Sequence, residues 1–387
     1  MLKYLLKKAA YGLLVLLGVI TAVFFLFNLA PGDPARNIAG ENAPEETLQH
    51  IRRKLDLDLP AGKRYLLYLN DLSPVSIHNT VNPDSRIYLD STQYCATTLF
   101  GVGNQRMLVV KAPYFKRSFL SDKSVSSILA AAIPGTVVLA VVSIGLALLI
   151  GLMLGIYAAL RKDTAADRLI LLLTAIGMSG PSFFVAILVA WMGAVVWREQ
   201  IILPYIPLAL LVIWSLCKYL LKWKQLRASW LWWGLGLWFV LFLFTPVGSV
   251  WHAGIRMPGT GLNMTGSLYS VDAFKGQYLN LSNLILPVIT LMVRPLSVIV
   301  QLTRSSLLEV MQQDYIRTAR AKGLTEREVI WRHALRNALN PVVTAVSGWF
   351  ASLLAGAVFV EFVFGWKGLG QEMFNAIEKQ DLPVVMG

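Results

Sequence analysis

Residues 284–340 read LILPVITLMVRPLSVIVQL (284–302) and then TRSSLLEVMQQDYIRTARAKGLTEREVIWRHALRNALN (303–340). The first part carries one charge, Arg294, and is long enough for the roughly 20 apolar residues that a bilayer-spanning helix requires. The second part holds seven Lys or Arg against four acids, Glu309, Asp314, Glu326 and Glu328. A second apolar run, Pro341–Val360, follows it. The pattern predicts two membrane helices joined by a basic, helical segment. Its first helix is expected over Ser305–Lys322. Gly323 follows as a C-cap, because glycine accepts a left-handed backbone without steric cost. Thr325-Glu326-Arg327-Glu328 has the form of a capping box that opens the next helix. That helix places Val329, Ile330, Ala334, Leu335, Ala338 and Leu339 on one side and spreads Arg327, Arg332 and Arg336 around its polar surface. Two uses stay open: seating in a groove of a partner whose movement it transmits, or lying on the lipid surface. A DNA-reading helix-turn-helix fits poorly between two membrane segments.

The whole chain agrees with a membrane setting. Apolar residues make up 56% of the 387 and charged residues 15%, against about 25% charged in ordinary globular domains. Disorder and fibrous repeats are excluded, and an all-α polytopic membrane protein is expected. Further candidate spans are Ala9–Ala30, Ile128–Leu160, Leu169–Trp197, Ile201–Cys217 and Trp230–Val247. The first is longer than a signal-peptide core of about 7–15 residues, so it reads as a retained anchor. Ile128–Leu160 is over-long for the bilayer and is expected to tilt or protrude. With the N-terminus inside and strict alternation, inside segments hold seventeen basic residues and short outside segments five, as the positive-inside rule demands. Segment 31–125 then lies outside. It opens on a Pro31-Gly32-Asp33-Pro34 turn. Helices are expected over Glu45–Leu57 and Lys63–Leu72, with strand-like runs at Arg86–Leu89 and Met107–Val110. An exterior cap and an inert decoration are both compatible with it.

Chemistry-bearing clusters are missing from the sequence. Cys95 and Cys217 are far apart, and His50, His78, His252 and His333 form no HExxH or close-spaced pair, so no metal or cofactor is implied. There is no phosphate-cradling Gly-x-x-x-x-Gly-Lys-Ser/Thr loop and no Gly-x-Ser-x-Gly elbow. A membrane-embedded enzyme would need such a cluster, and a secondary transporter predicts paired repeats with broken helices. These two classes are the alternatives to the reading below.

Tyr315–Leu324 followed by Val329–Leu339 resembles the coupling-loop motif of bacterial ABC importer permeases, in the version of the dipeptide/oligopeptide/nickel branch. The general motif runs Glu-Ala-Ala, three residues, Gly, nine residues, Ile-x-Leu-Pro. Ala319, Gly323 and Leu335 fit it, while Arg317, Thr318, His333 and Arg336 replace Glu, Ala, Ile and Pro, as is usual for that branch. Pro31–Arg36, Gly180–Phe184, Glu361–Gly370 and Asp381–Val385 are similar to other stretches of the branch. The likeness covers 1–72, about 113–200 and 284–387. Residues 74–112 look like an insertion, 201–247 like an extra helix pair, 248–283 like an exterior loop, and a final membrane helix is expected beyond Gly387.

The resemblance implies a permease subunit in the bacterial cytoplasmic membrane that binds no ATP itself. It implies ABC ATPase subunits docked on Ala319, Gly323, Leu324, Thr325, Glu328, His333, Leu335 and Arg336. A second homologous permease and an exterior solute-binding protein complete the assembly, and nucleic acid has no part in it. The solute is a dipeptide, an oligopeptide, a nickel complex or another small molecule. Arg294, near mid-depth of its span, is a pore contact for a carboxylate or a structural partner of carbonyls freed by Pro295. Glu361 is expected at the exterior mouth with a gating role.

Overall fold

The computed structural model describes residues 2–29, 34–40, 43–54, 56–82, 85–89, 96–101, 106–204, 254–272 and 276–387. The expected span Trp230–Val247, most of Ile201–Cys217, the Pro31-Gly32-Asp33 turn, Cys95, Cys217 and His252 lie outside these residues. The chain divides into two units, Met1–Val138 with Lys367–Gly387, and Leu139–Trp366.

In the first unit, α1 (Leu2–Leu29) is apolar and almost wholly exposed, as suits a helix whose backbone is self-satisfied and whose side chains face lipid. Near its end Phe24 stacks on Tyr68, with centroids 5.9 Å apart. Three helices follow, α2 (Pro34–Ala39), α3 (Glu45–Lys54) and α4 (Ala61–Leu72). Then comes an antiparallel sheet in the order β1 (Val75–Asn79), β3 (Arg106–Lys111), β2 (Ala96–Gly101). The expected strand Arg86–Leu89 is instead a turn with a single bridge from Tyr88 to Asn79. The Tyr88 N–H donates to the Ser85 carbonyl at 2.9 Å and closes the turn, while the Arg86 guanidinium reaches Asp56 and Asp58 at 2.7 and 2.6 Å. Helices Leu369–Glu378 and Leu382–Met386 close the unit. Between them buried Asp381 accepts from Ser118 Oγ at 2.5 Å and from the Phe119 N–H at 3.0 Å.

The buried Lys111 of β3 is 3.9 Å from Asp71. Burial pushes its ammonium down to about 8. The folded cap therefore releases this proton before the unfolded chain does, and its stability rises as pH climbs from about 8 toward 10.5. Lys111→Met removes the cost of burying the charge. Thermal unfolding below pH 8 is expected to move up in this variant, and the gap to wild type to narrow above pH 8.

The second unit is built around one helix. α5 (Val125–Leu160) enters it from Leu139 onward. At 36 residues it is about 54 Å long, well over the ~30 Å hydrocarbon core. The expected span Leu169–Trp197 is not one helix. α6 (Ala165–Ser179) and α7 (Ser182–Trp191, continued by a π segment Met192–Val196) meet at a bend of 108°. Gly180 is extended at ψ 133° because the residue before a proline avoids the helical region, and Pro181 offers no N–H to continue the ladder. Residues 201–204, expected to begin the span Ile201–Cys217, instead belong to β4 (Gln200–Pro204), which pairs with β5 (Gly254–Pro258). A hairpin of β6 (Tyr269–Asp272) and β7 (Gly276–Leu279) follows.

α8 (Ser282–Val310) then crosses the unit and packs on α5, α6 and α7. It does not stop at Leu302. Its apolar stripe continues through fully buried Leu307, so the expected helix Ser305–Lys322 is divided. α8 ends at Val310, and α9 spans Asp314–Ala321. α10 (Glu326–Glu328) passes through a π segment, Val329–Ala334, into α11 (Leu335–Gly356). The span expected from Pro341 thus begins one and a half turns or more earlier, with Pro341 inside it. α12 (Val358–Val363) follows. Among the described residues four helices are long and apolar enough to cross a membrane, or five with the bent α6–α7 pair.

α5 and α8 touch backbone to backbone at Gly155. A Cβ there would lie 2.6 Å from Thr303 Cβ and 2.9 Å from the Val300 carbonyl oxygen. Gly155→Val is expected to destabilise the unit by about 1–3 kcal/mol. Gly145→Ala, on the same helix with open space at its Cβ, should be neutral or stabilising. Melting of the two variants in detergent distinguishes a packing contact from helix propensity.

Candidate functional site

The 303–340 segment folds as a compact bracket over a cluster of small and branched side chains. Ala159 of α5, Leu307 of α8, Ile316 and Ala319 of α9, Val329 and Ala334 of the π segment, and Ala338 of α11 are all buried together. Alanines dominate it, and small side chains let the helices approach closely. Met311 and Leu324 pack at its edge.

The turn between α9 and α10 is satisfied almost completely by itself. Gly323 has φ +79°, and a Cβ there would meet nothing. Glycine is needed for the backbone conformation and not for room. The Gly323 N–H donates to the Arg320 carbonyl at 2.9 Å and the Leu324 N–H to the Ala319 carbonyl at 3.4 Å. This is a Schellman end, with Leu324 supplying the apolar contact that accompanies it. Thr325 then caps α10. Its hydroxyl accepts from the Glu328 N–H at 3.3 Å, while the Glu328 carboxylate accepts from the Thr325 N–H at 3.0 Å. Arg320 grips Glu326 with two bonds of 2.8 and 3.2 Å, and Asn337 donates to the Tyr315 hydroxyl at 2.8 Å. Both ends of the bracket are therefore tied before any partner arrives.

The eight residues expected to meet a partner fall into two sets. Ala319 and Leu335 are buried, Ala319 within the cluster beneath the bracket. Gly323, Thr325, Glu328 and Arg336 are exposed, and Leu324 and His333 half-buried. Arg317, Lys322, Arg327 and Arg332 of the same segment are also exposed. Trp331 is 64% exposed on the same helix. Sequence patterning did not single it out, although an apolar ring at a position facing away from the Ala334–Ala338 side was the available signal.

The two other candidates occupy different settings. Arg294 is exposed on α8 with its guanidinium 5.9 Å from the centre of the Trp349 ring, a cation–π contact. Glu361 is fully buried in α12. Its carbonyl accepts the Trp366 N–H at 2.8 Å, closing a hook through Gly365 at φ +58° onto fully buried Trp366. Among the described residues no group of three or more His, Cys, Asp or Glu is placed to hold a metal.

Several membrane-length helices, joined in one unit by an exposed and internally braced bracket, define a helical polytopic membrane protein among the described residues. Residues 151–387 match the family described as binding-protein-dependent transport system inner membrane component, and residues 1–74 match the N-terminal part of such membrane components. A putative peptide transport system permease protein of Brucella abortus is 31% identical over 384 residues, covering 99% of this chain and 89% of the relative. A dipeptide transport system permease protein of Alkalihalophilus pseudofirmus is 27% identical over 390 residues, covering 100% and 91%. A di/tripeptide transport system permease protein of Pseudomonas aeruginosa is 28% identical over 387 residues, covering 100% and 90%. The chain belongs to the binding-protein-dependent transport system inner membrane component family and is a multi-pass permease subunit of an ABC importer.

Thr325→Ala removes the cap that starts α10. A loss of about 1 kcal/mol is expected, seen as faster amide exchange over 326–334 with exchange in α8 unchanged.

Proposed function

We propose that this permease imports peptides or a similar small solute, driven by ATP hydrolysis in separate ABC ATPase subunits that seat on the 303–340 bracket. One observation carries the reading. The Gly323 turn is closed by its own hydrogen bonds, yet Arg317, Lys322, Arg327, Trp331 and Arg332 on either side of it are exposed. An exposed lever attached to two membrane helices suits the transmission of a partner's movement. The chain itself has no phosphate-binding loop, so the hydrolysis belongs to other subunits. The solute class follows the peptide, dipeptide and di/tripeptide systems named for the relatives.

In this reading the bracket and the N-terminus are cytoplasmic. The 31–125 segment, with its 74–112 insertion, faces the exterior solute-binding protein. Gly323, Leu324, Thr325, Glu328, His333 and Arg336 form the contact surface, and Ala319 and Leu335 hold it in shape. A second homologous permease completes the path. Arg294 offers its exposed guanidinium to a peptide carboxylate, and buried Glu361 takes part in gating.

The test is Gly323→Val in a complex reconstituted with its ATPase subunits. A β-branched residue is strained at φ +79°, so the bracket is expected to shift while membrane insertion stays intact. Solute imported per ATP should fall by about five-fold or more, the usual scale of coupling between sites. Unchanged uptake, or a wild-type permease that carries no ATPase subunit through purification, would refute the reading.

A further inference from the structure

The bracket is joined to the rest of the unit by more than the α8 and α11 helices that lead into it. Arg304 lies on α8 just before the bracket's buried Leu307. Its Nε and Nη2 donate to the two carboxylate oxygens of Asp167 at 2.6 and 2.7 Å. Asp167 is buried, in the first turn of α6. It also accepts the Asp163 N–H at 2.9 Å, and its own N–H is received by the Thr164 cap at 3.4 Å. One helical turn before Arg304, Gln301 donates to the Thr174 hydroxyl of α6 at 3.1 Å.

Two physical points raise this pair above an ordinary surface bridge. A two-pronged guanidinium–carboxylate contact fixes angle as well as distance. A carboxylate this buried loses too much solvation to give up its partner while the fold stands. α6 and α8 are therefore locked in register at the bracket's end of the unit. α6 itself ends at the Gly180-Pro181 bend, where α7 turns away by 108°. A displacement of the bracket that moves the end of α8 must move α6 with it, and the bend is where that movement can be redirected.

We propose that Arg304 and Asp167 are positioning residues that transmit movement of the 303–340 bracket into α6. This inference rests on the coupling role proposed above. Beyond that role, it assigns the transmission to one ion pair between segments 137 residues apart.

The experiment uses the complete importer reconstituted in vesicles with its ATPase subunits and exterior receptor. Asp167→Asn, Arg304→Gln and the double variant are compared for amount of assembled complex and for solute imported per ATP hydrolysed. A merely structural role changes the amount and leaves the ratio. The proposal expects the ratio to fall about five-fold or more in each single variant. The double variant should be no worse than either single, because a pair acting as one unit is non-additive. The double also leaves no buried charge unpaired, so it carries the measurement if a single variant fails to accumulate. A wild-type ratio in the assembled double variant, or losses that simply multiply, would overturn the proposal. A wild-type complex that binds no ATPase subunit takes down the coupling reading itself, and this inference with it, before any variant is compared.

Discussion

The contact of α5 with α8 at Gly155 sets the geometry of the bracket's unit. With no Cβ at Gly155, Thr303 and the Val300 carbonyl of α8 lie where a side chain would have been. That approach brings Ala159, one turn further along α5, against Leu307. Leu307 in turn gives α9 and the π segment an apolar surface to cover. Ala159 and Leu307 are thus part of the floor on which the bracket rests. The same α8 residues meet α6 on another side through Gln301 and Arg304.

The bracket separates two jobs that a single amphipathic helix would have to combine. Its inside is made of alanines and branched residues that exclude water. Its turn consumes the free N–H and carbonyl groups of two helix ends through the Schellman bonds and the capping box. Polar groups needed for folding are thus already used. The arginines and Trp331 left on the surface are available to a partner, and their exchange with a docking protein need not unfold anything. Lipid contact alone would not require so firmly closed a turn.

The other end of the unit shows a contrasting construction. α7 packs on α12, with Phe183 and Phe359 rings 6.3 Å apart. The hook from Glu361 to Trp366 is buried in the largest core cluster. Glu361 is fully buried there, in α12. Arg294 on α8 is instead left open over the Trp349 ring.

Much of this was legible in the sequence. Composition and apolar runs were enough for a polytopic helical membrane protein. The Gly323 stop and the Thr325–Glu328 box were readable because both depend on residues within five positions of each other. The positions of α1, α5 and α8 followed from hydropathy, to within a few residues at their apolar ends. Contacts between distant segments were beyond it. Leu169–Trp197 looks like one span because hydropathy ignores a single proline; Gly180-Pro181 marks the break locally, and the 108° direction of α7 is a property of the fold. That Ser305–Val310 continues the span instead of starting a separate helix, with Leu307 in the cluster that holds Ala159, appears only in the fold. Ala319 and Leu335 belong to the motif but went inside, and nothing local marked Asp167 as the partner of Arg304. Local chemistry wrote the caps and the spans; burial, which sums over residues far apart in the chain, decided which faces remained open.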